Sequence, residues 1–193
     1  MHDRLIEYIN QYALFPLNDH EVDTIKRVFV TKKLRKRQYF LQSGEVCKYY
    51  GFVVKGAMRQ YSVDEKGSEH IVQLSIENWW AGDRESFTRL TPSLYYIDAW
   101  EETDLLLLTQ TDLIVLDKIP AFLEMKAKMD ENHHFAMQKR VNASISLSAE
   151  QRYEALAQMY PEFVQRFPQH IIASYLGITK ETLSRVRGST TKK

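Results

Sequence analysis

Residues 36–117 form a succession of short β-rich runs cut by Gly44, Gly51, Gly56, Gly67 and Gly82. The runs at 52–54, 58–63, 70–74 and 105–109 read as strands. Asp64-Glu65-Lys66-Gly67 has the chemistry of a hairpin turn, with Gly67 free to take positive φ. Several short strands at regular spacing, with turn signals between them, predict a sandwich or barrel. No internal repeat interrupts this pattern.

Helical patterns flank the β unit. Residues 3–15 place Leu5, Ile9 and Tyr12 on one face. Asn18-Asp19-His20-Glu21 is a capping box ahead of the stripe Val22, Ile25, Val28 and Phe29. From Pro120 the pattern turns helical again. Phe122, Met125, Met129, Ala136 and Ala143 keep steps of three, four or seven residues. That seam fits a coiled-coil-like dimer contact, or a single helix packed on its own β unit. Ser148-Ala149-Glu150-Gln151 is a second capping box and opens a new helix, and Pro161 and Pro168 divide the helices that follow.

The 193 residues, 44% apolar, suffice for one core or a core plus a small satellite domain. With 12% aromatics the chain is not a disordered one. The net charge of +1 hides an asymmetry. In residues 165–193, Arg166, Lys180, Arg185, Arg187, Lys192 and Lys193 face one acid, Glu181, so the body is acidic and the tail basic. Cys47 is the single cysteine, which excludes an internal disulfide and a four-cysteine metal or cluster site and fits a reducing cytoplasm. The first residues carry charge and no long apolar stretch, so no signal peptide is expected. The apolar run near 105–108 is too short to span a bilayer.

Residues 169–186 have the spacing of a helix-turn-helix. Ala173 is small where two helices cross, and Gly177 suits the left-handed turn between them. Ile172, Leu176, Ile178, Leu183 and Val186 supply a small core. Thr179 is a natural N-cap. Lys180, Glu181, Ser184 and Arg185 then point away from the apolar stripe. Arginine can bind guanine bidentately and glutamate can accept from cytosine. Arg187, Lys192 and Lys193 suit phosphate contacts, which position without specifying.

The order of parts resembles the Crp/Fnr regulator family over nearly the whole chain. The resemblance is carried by Leu-x-x-Gly at 41–44, Val-Lys-Gly-Ala-Met-Arg-Gln-Tyr at 54–61, the Asp64–Gly67 turn, Gly82-Asp83, and the 173–185 motif. It implies an α+β fold: N-terminal helices and an antiparallel, jelly-roll-like β-roll sensor over 1–118, a dimerisation helix over 119–147, and a helix-turn-helix domain over 148–193. It implies Thr179, Lys180, Glu181, Thr182, Ser184, Arg185 and Arg187 as DNA-binding residues. It makes Phe122, Met125, Met129 and Ala136 the dimer seam. Double-stranded DNA, a second copy of the chain and RNA polymerase are the implied partners, in the cytoplasm, with no membrane, no catalytic residues and no metal.

Two departures qualify the resemblance. Members that bind cyclic AMP hold its ribose and phosphate with a Gly-Glu-Leu turn and an Arg-Ser/Thr-Ala segment. Here the turn is Gly82-Asp83-Arg84 and the later segment is Ser93-Leu94-Tyr95. The phosphate-pairing arginine is missing, Arg84 or Arg89 is left as its substitute, and Leu94 and Tyr95 place apolar bulk there. Burying an unpaired phosphate is costly. The expected effector pocket is therefore Trp80, Gly82, Asp83, Arg84, Ser93, Leu94 and Tyr95, with another effector than cyclic AMP or none. Second, six residues follow Arg187, so a form without the usual β-hairpin wing is expected. That shortness supports an alternative: a small-molecule sensor that works through protein partners without reading DNA.

Smaller features are weighed alongside. His133-His134 are adjacent and cannot share a helix face, which argues against a metal pair. His70 stands alone, so a metal-dependent β-barrel enzyme is not expected. Lys32, Lys33, Arg35, Lys36 and Arg37 place five bases in six residues, a nucleic-acid patch or a solvated edge. One of Trp79 and Trp80 belongs in the core, and the other can roof a cavity.

Overall fold

The computed structural model describes residues 1–190. Helix α1 (His2–Tyr12) buries Leu5 and Ile9 and leaves Tyr12 half-buried. It stops short of Pro16, because residues before a proline are pushed out of the helical region. The freed Leu14 N–H donates to Glu124 Oε2 at 2.7 Å. Helix α2 (Asp19–Val28) begins at the expected box, with Asn18 accepting from the Glu21 amide and Glu21 reaching back to the Asn18 amide.

Eight strands follow: β1 (Val30–Leu34), β2 (Tyr39–Leu41), β3 (Tyr49–Lys55), β4 (Met58–Val63), β5 (Glu69–Ser75), β6 (Trp80–Ala81), β7 (Tyr96–Ala99) and β8 (Thr103–Thr109). They form two antiparallel sheets, ordered β1-β8-β3-β6 and β2-β7-β4-β5. Apart from the β4–β5 hairpin, each strand lies in the opposite sheet from the one before it. The chain thus winds around a single core as a β-roll. That core holds Leu34, Phe52, Val53, Met58, Ile97, Leu105 and Leu106. At the tight β3–β4 turn Gly56 has φ +101, and a Cβ there would lie 2.5 Å from the Glu102 carbonyl oxygen.

Of the strands absent from the sequence reading, β1, β2 and β6 lie at sheet edges, while the four-residue β7 is interior, between β2 and β4. In β1 only Leu34 is buried, and Lys32 and Lys33 face solvent on an edge strand, where charge blunts aggregation. The β pattern also ends earlier than residue 117. Helix α4 (Gln110–Leu116) starts at a capping box formed by Thr109 and Asp112, which overrides the β-branched run Ile114-Val115. Helix α3 (Arg84–Arg89) sits between β6 and β7.

Helix α5 (Pro120–Ser146) is one continuous element of 27 residues, with proline at its first position. Its apolar register corrects the expected dimer seam. Phe122 and Met125 are 2% and 1% exposed, sealed in the β-roll core by this chain's own residues. Met129 packs against that core, and Ala136 lines a cavity beside it. A second stripe carries Leu123, Ala127, Asp130, His134, Met137, Val141 and Ser144, a strict alternation of four- and three-residue steps, with Ile145 alongside, and its Asp130 and Met137 also border the cavity. All but Asp130 are exposed, Val141 by 54% and Ile145 by 81%. A short helix packed on a barrel uses one stripe; this longer helix has two, and the inner one follows the other reading of the sequence, a helix packed on its own β unit.

Helices α6 (Ala149–Met159), α7 (Pro161–Arg166), α8 (Gln169–Leu176) and α9 (Lys180–Thr190) complete the described chain. The Ser148 capping box opens α6 as expected. These helices do not form a separate ball. Phe163, Phe167, Ile171, Ile172 and Leu183 share a second core with Ala57, Tyr61, Ile71, Leu74 and Ile76 from the β-roll.

Candidate nucleic-acid interface and adjoining cavity

Helix α8 ends where Gly177 takes φ +66, and its N–H reaches back to the last turn. The Ile178 amide closes on the Ala173 carbonyl at 3.0 Å. These bonds satisfy the carbonyls a helix end leaves open. Thr179 then caps α9, its Oγ1 accepting from the Thr182 amide at 3.2 Å. Leu183 is fully buried and Val186 9% exposed, against α8 and α6. With that stripe fixed inward, Lys180, Glu181, Ser184, Arg185 and Arg187 are exposed and Thr182 is half-buried. The Arg185 guanidinium is steered by the Thr182 hydroxyl at 3.4 Å. Lys192 and Lys193 lie outside the described residues.

The helical unit is clamped to the β-roll through contacts the sequence reading did not foresee. Arg166 at the end of α7 donates to Glu77 and to Glu101, the latter at 2.7 and 3.1 Å. The Trp100 indole donates to the Arg166 carbonyl at 3.2 Å. Ser174 Oγ accepts from the Ile71 amide and donates to the Glu69 carbonyl, knitting α8 to the edge of β5. Arg140 donates to the Val72 carbonyl and lies over the Tyr175 ring. Arg166 is one of the six bases counted in the tail, and two carboxylates occupy it.

Burial would raise the Glu77 carboxyl, but Arg166 and the Gly56 amide outweigh it and hold the group below the ordinary carboxylate range. A carboxylate lowered in the folded state adds stability above its unfolded pKa and loses it as pH falls through the folded value. Arg166→Met is therefore expected to cost about 1–3 kcal/mol at neutral pH. It should also flatten or invert the acid limb, since burial then favours protonated Glu77. Thermal melts across pH 3–7 check this; parallel curves for the two proteins would refute the clamp.

A cavity of about 940 Å³ opens between the β-roll, α1 and α5, and reaches Tyr160 and Glu162 of the helical unit. Of the expected pocket residues, Trp80, Gly82, Asp83, Arg84 and Tyr95 line it. Ser93 and Leu94 do not. Ser93 is buried, with its hydroxyl donating to Asp83 Oδ2 at 2.7 Å, and Leu94 is 77% exposed, turned to solvent. Asp83 is itself spent: it caps α3 through the Glu85 and Ser86 amides. Arg84 pairs with Asp130 of α5, and Arg89 with Glu85 on its own helix, so neither is a free substitute for the missing arginine. Both tryptophans line the cavity. Trp80 is core, and its indole N–H has no hydrogen-bond partner. Trp79 packs on Tyr160 and Phe163. Burial, with the charge of Arg84, holds His133 below its ordinary pKa, and burial pushes the Tyr50 hydroxyl up to about 12. Among the described residues no three His, Cys, Asp or Glu side chains gather to hold a metal. Burial pushes the Cys47 thiol up to about 11.

No protein-family profile matches the chain. Curated relatives do. The regulatory protein HlyX of Actinobacillus pleuropneumoniae is 24% identical over 197 residues, covering 93% of this chain and 80% of its own. The fumarate and nitrate reduction regulatory protein of Vibrio cholerae is 25% identical over 192 residues, 90% and 74% respectively. Among solved structures, FixK2 from Bradyrhizobium japonicum superposes with TM-score 0.69 at 20% identity, over 86% of this chain and 85% of that one. A CRP/FNR family transcriptional regulator from Thermus thermophilus gives 0.68 at 17%, over 84% and 86%. In sequence and in fold the chain is similar to regulators of the Crp/Fnr type. Asp83, Arg84 and Ser93 are each held by protein partners. Of the two arginines that line the cavity, Arg84 is paired with Asp130 and Arg4 donates to the Asn78 side-chain oxygen at 2.8 Å.

Proposed function

We propose that this Crp/Fnr-type chain is a homodimeric transcription regulator that reads a palindromic site in double-stranded DNA. The observation that carries the reading is the outward row Lys180, Glu181, Ser184 and Arg185, held by a helix whose other face is buried on α8. On this reading residues 1–118 sense, 119–147 dimerise through the outer stripe of α5, and 148–193 bind DNA. Each α9 enters a major groove, with half-sites about 34 Å apart. Thr179 and Arg187 hold phosphates, and RNA polymerase is the downstream partner. The protein acts in the cytoplasm and is not an enzyme. The wired Asp83, Arg84 and Ser93 support an effector other than cyclic AMP.

A selected-site screen on the purified protein tests this, and the expected result is a two-fold symmetric consensus. Failure to enrich any palindrome would count against it. On that consensus Arg185→Ala is expected to lose about 1–3 kcal/mol of binding and to relax preference at one base pair. Filter binding on a set of single-base operator variants reads the effect. A uniform loss across sequences would reassign Arg185 to phosphate.

A further inference from the structure

We propose that the basic turn Arg35-Lys36-Arg37, at the corner of the β-roll, is a second DNA contact that grips phosphates outside the base pairs read by α9. The proposal rests on the regulator reading above.

The turn is built to present charge. It joins β1 to β2 between buried Leu34 and Leu41. The Gln38 amide closes on the Arg35 carbonyl at 2.9 Å, and the Gln38 side chain accepts from the Arg35 amide at 2.9 Å. The Arg37 amide donates to the Ala99 carbonyl at 2.6 Å, and the Ala99 amide to the Gln38 carbonyl at 3.0 Å. Arg37 has φ +65, a left-handed conformation that glycine or asparagine holds far more readily. An arginine kept at such a position puts a third cation on a rigid knuckle, and strained backbone of this kind gathers at functional sites. All three side chains are exposed and line a shallow hollow with Gln38. Among the described residues no carboxylate pairs with them, whereas Arg59, Arg84 and Arg166 are all ion-paired.

Position selects the partner. Lys36 Nζ lies 5.8 Å from the Trp100 ring, and Trp100 lies 6.3 Å from His170 in the first turn of α8. In a helix-turn-helix the first helix crosses the DNA backbone. The turn therefore stands one aromatic ring away from the helix that faces phosphate. The recognition helix also needs help. Its described bases are Lys180, Arg185 and Arg187, offset by Glu181, and nearby Arg152 and Arg166 are turned inward. On this proposal a duplex running past the half-site meets the turn, and neutralising its phosphates releases counterions.

The test uses two duplexes carrying the same selected operator. One ends at the half-site edges; the other extends one helical turn, about ten base pairs, on each side. The full-length wild type is compared with Arg35→Gln/Lys36→Gln/Arg37→Gly, whose glycine retains the backbone. The wild type is expected to bind the longer duplex at least tenfold more tightly, with a log–log salt slope steeper by about 0.9 per added phosphate contact. The triple variant is expected to bind both duplexes as the wild type binds the short one, with an unchanged melting temperature. Equal binding of both duplexes by the wild type overturns the proposal. So does a variant that loses equally on both, because the turn would then act within the operator or on the fold. A wild type that binds neither duplex refutes the regulator reading itself.

Discussion

Val141→Glu with Ile145→Glu is expected to give a folded monomer that has lost most of its DNA affinity. Both side chains lie beyond the β-roll core on the outer stripe of α5, where they, Leu123 and Met137 are exposed apolar groups. Burying one such side chain is worth about 1.5–3 kcal/mol. In a two-fold contact each counts twice, so the pair removes on the order of 6 kcal/mol, four decades in the dimer constant. Two half-sites joined through one dimer bind as an intramolecular event, and separated protomers lose that gain. Sedimentation measures the association, and circular dichroism confirms the fold. Phe122→Ala is the contrast: its ring is sealed inside the chain, so it should lower stability by about 3–5 kcal/mol and leave the folded fraction dimeric. A double-glutamate variant that still sediments as a dimer would move the interface off α5.

The choice between those two stripes shows where sequence reading stops. Periodicity finds a helix and its apolar positions, but Phe122-Met125-Met129 and Leu123-Ala127-Met137 are both regular. Which stripe meets the β-roll is a tertiary property, and it is Phe122 and Met125 that join its core. The helix-turn-helix was legible because its constraints are local: a small residue, a left-handed glycine, a cap and an inward stripe fall within 173–186. The β4–β5 hairpin was legible for the same reason, through Asp64, which accepts from the Lys66 and Ser68 amides. The cavity was half legible. Gly82, Asp83 and Arg84 mark the right turn, but only coordinates reveal that Leu94 turns away and that Asp130, forty-six residues on, neutralises Arg84. The Arg166 clamp was invisible, because its partners come from two loops that are distant in sequence.

Phe163→Ala is expected to lower stability by about 3–5 kcal/mol and to uncouple the helical unit from the β-roll. The ring is fully buried. It touches Trp79 from the β-roll at 5.4 Å, and Tyr160, Phe167 and Tyr175 from the helical unit at 5.0, 5.8 and 6.0 Å. One side chain thus fills space that belongs to both parts. The β-roll core around Phe52, Leu105 and Leu106 does not include it. The wild type should therefore melt in one transition, since the second core cannot open without exposing Ile71, Leu74 and Ile76 of the sheet. In the variant, α6–α9 should detach first, while the β-roll persists to a higher temperature. Far-ultraviolet ellipticity at the helix band, followed beside tryptophan fluorescence, separates the two events: Trp79 and Trp100 report on the junction, and Trp80 on the inner core. Coincident transitions in the variant, or a loss below about 1 kcal/mol, would mean that the helical unit draws little of its stability from the sheet. Detachment matters for the switch, because Trp79, Tyr160 and Glu162 also border the cavity. An occupant there would press on the same aromatic junction that fixes α7, and through α7 on the setting of α8 and α9.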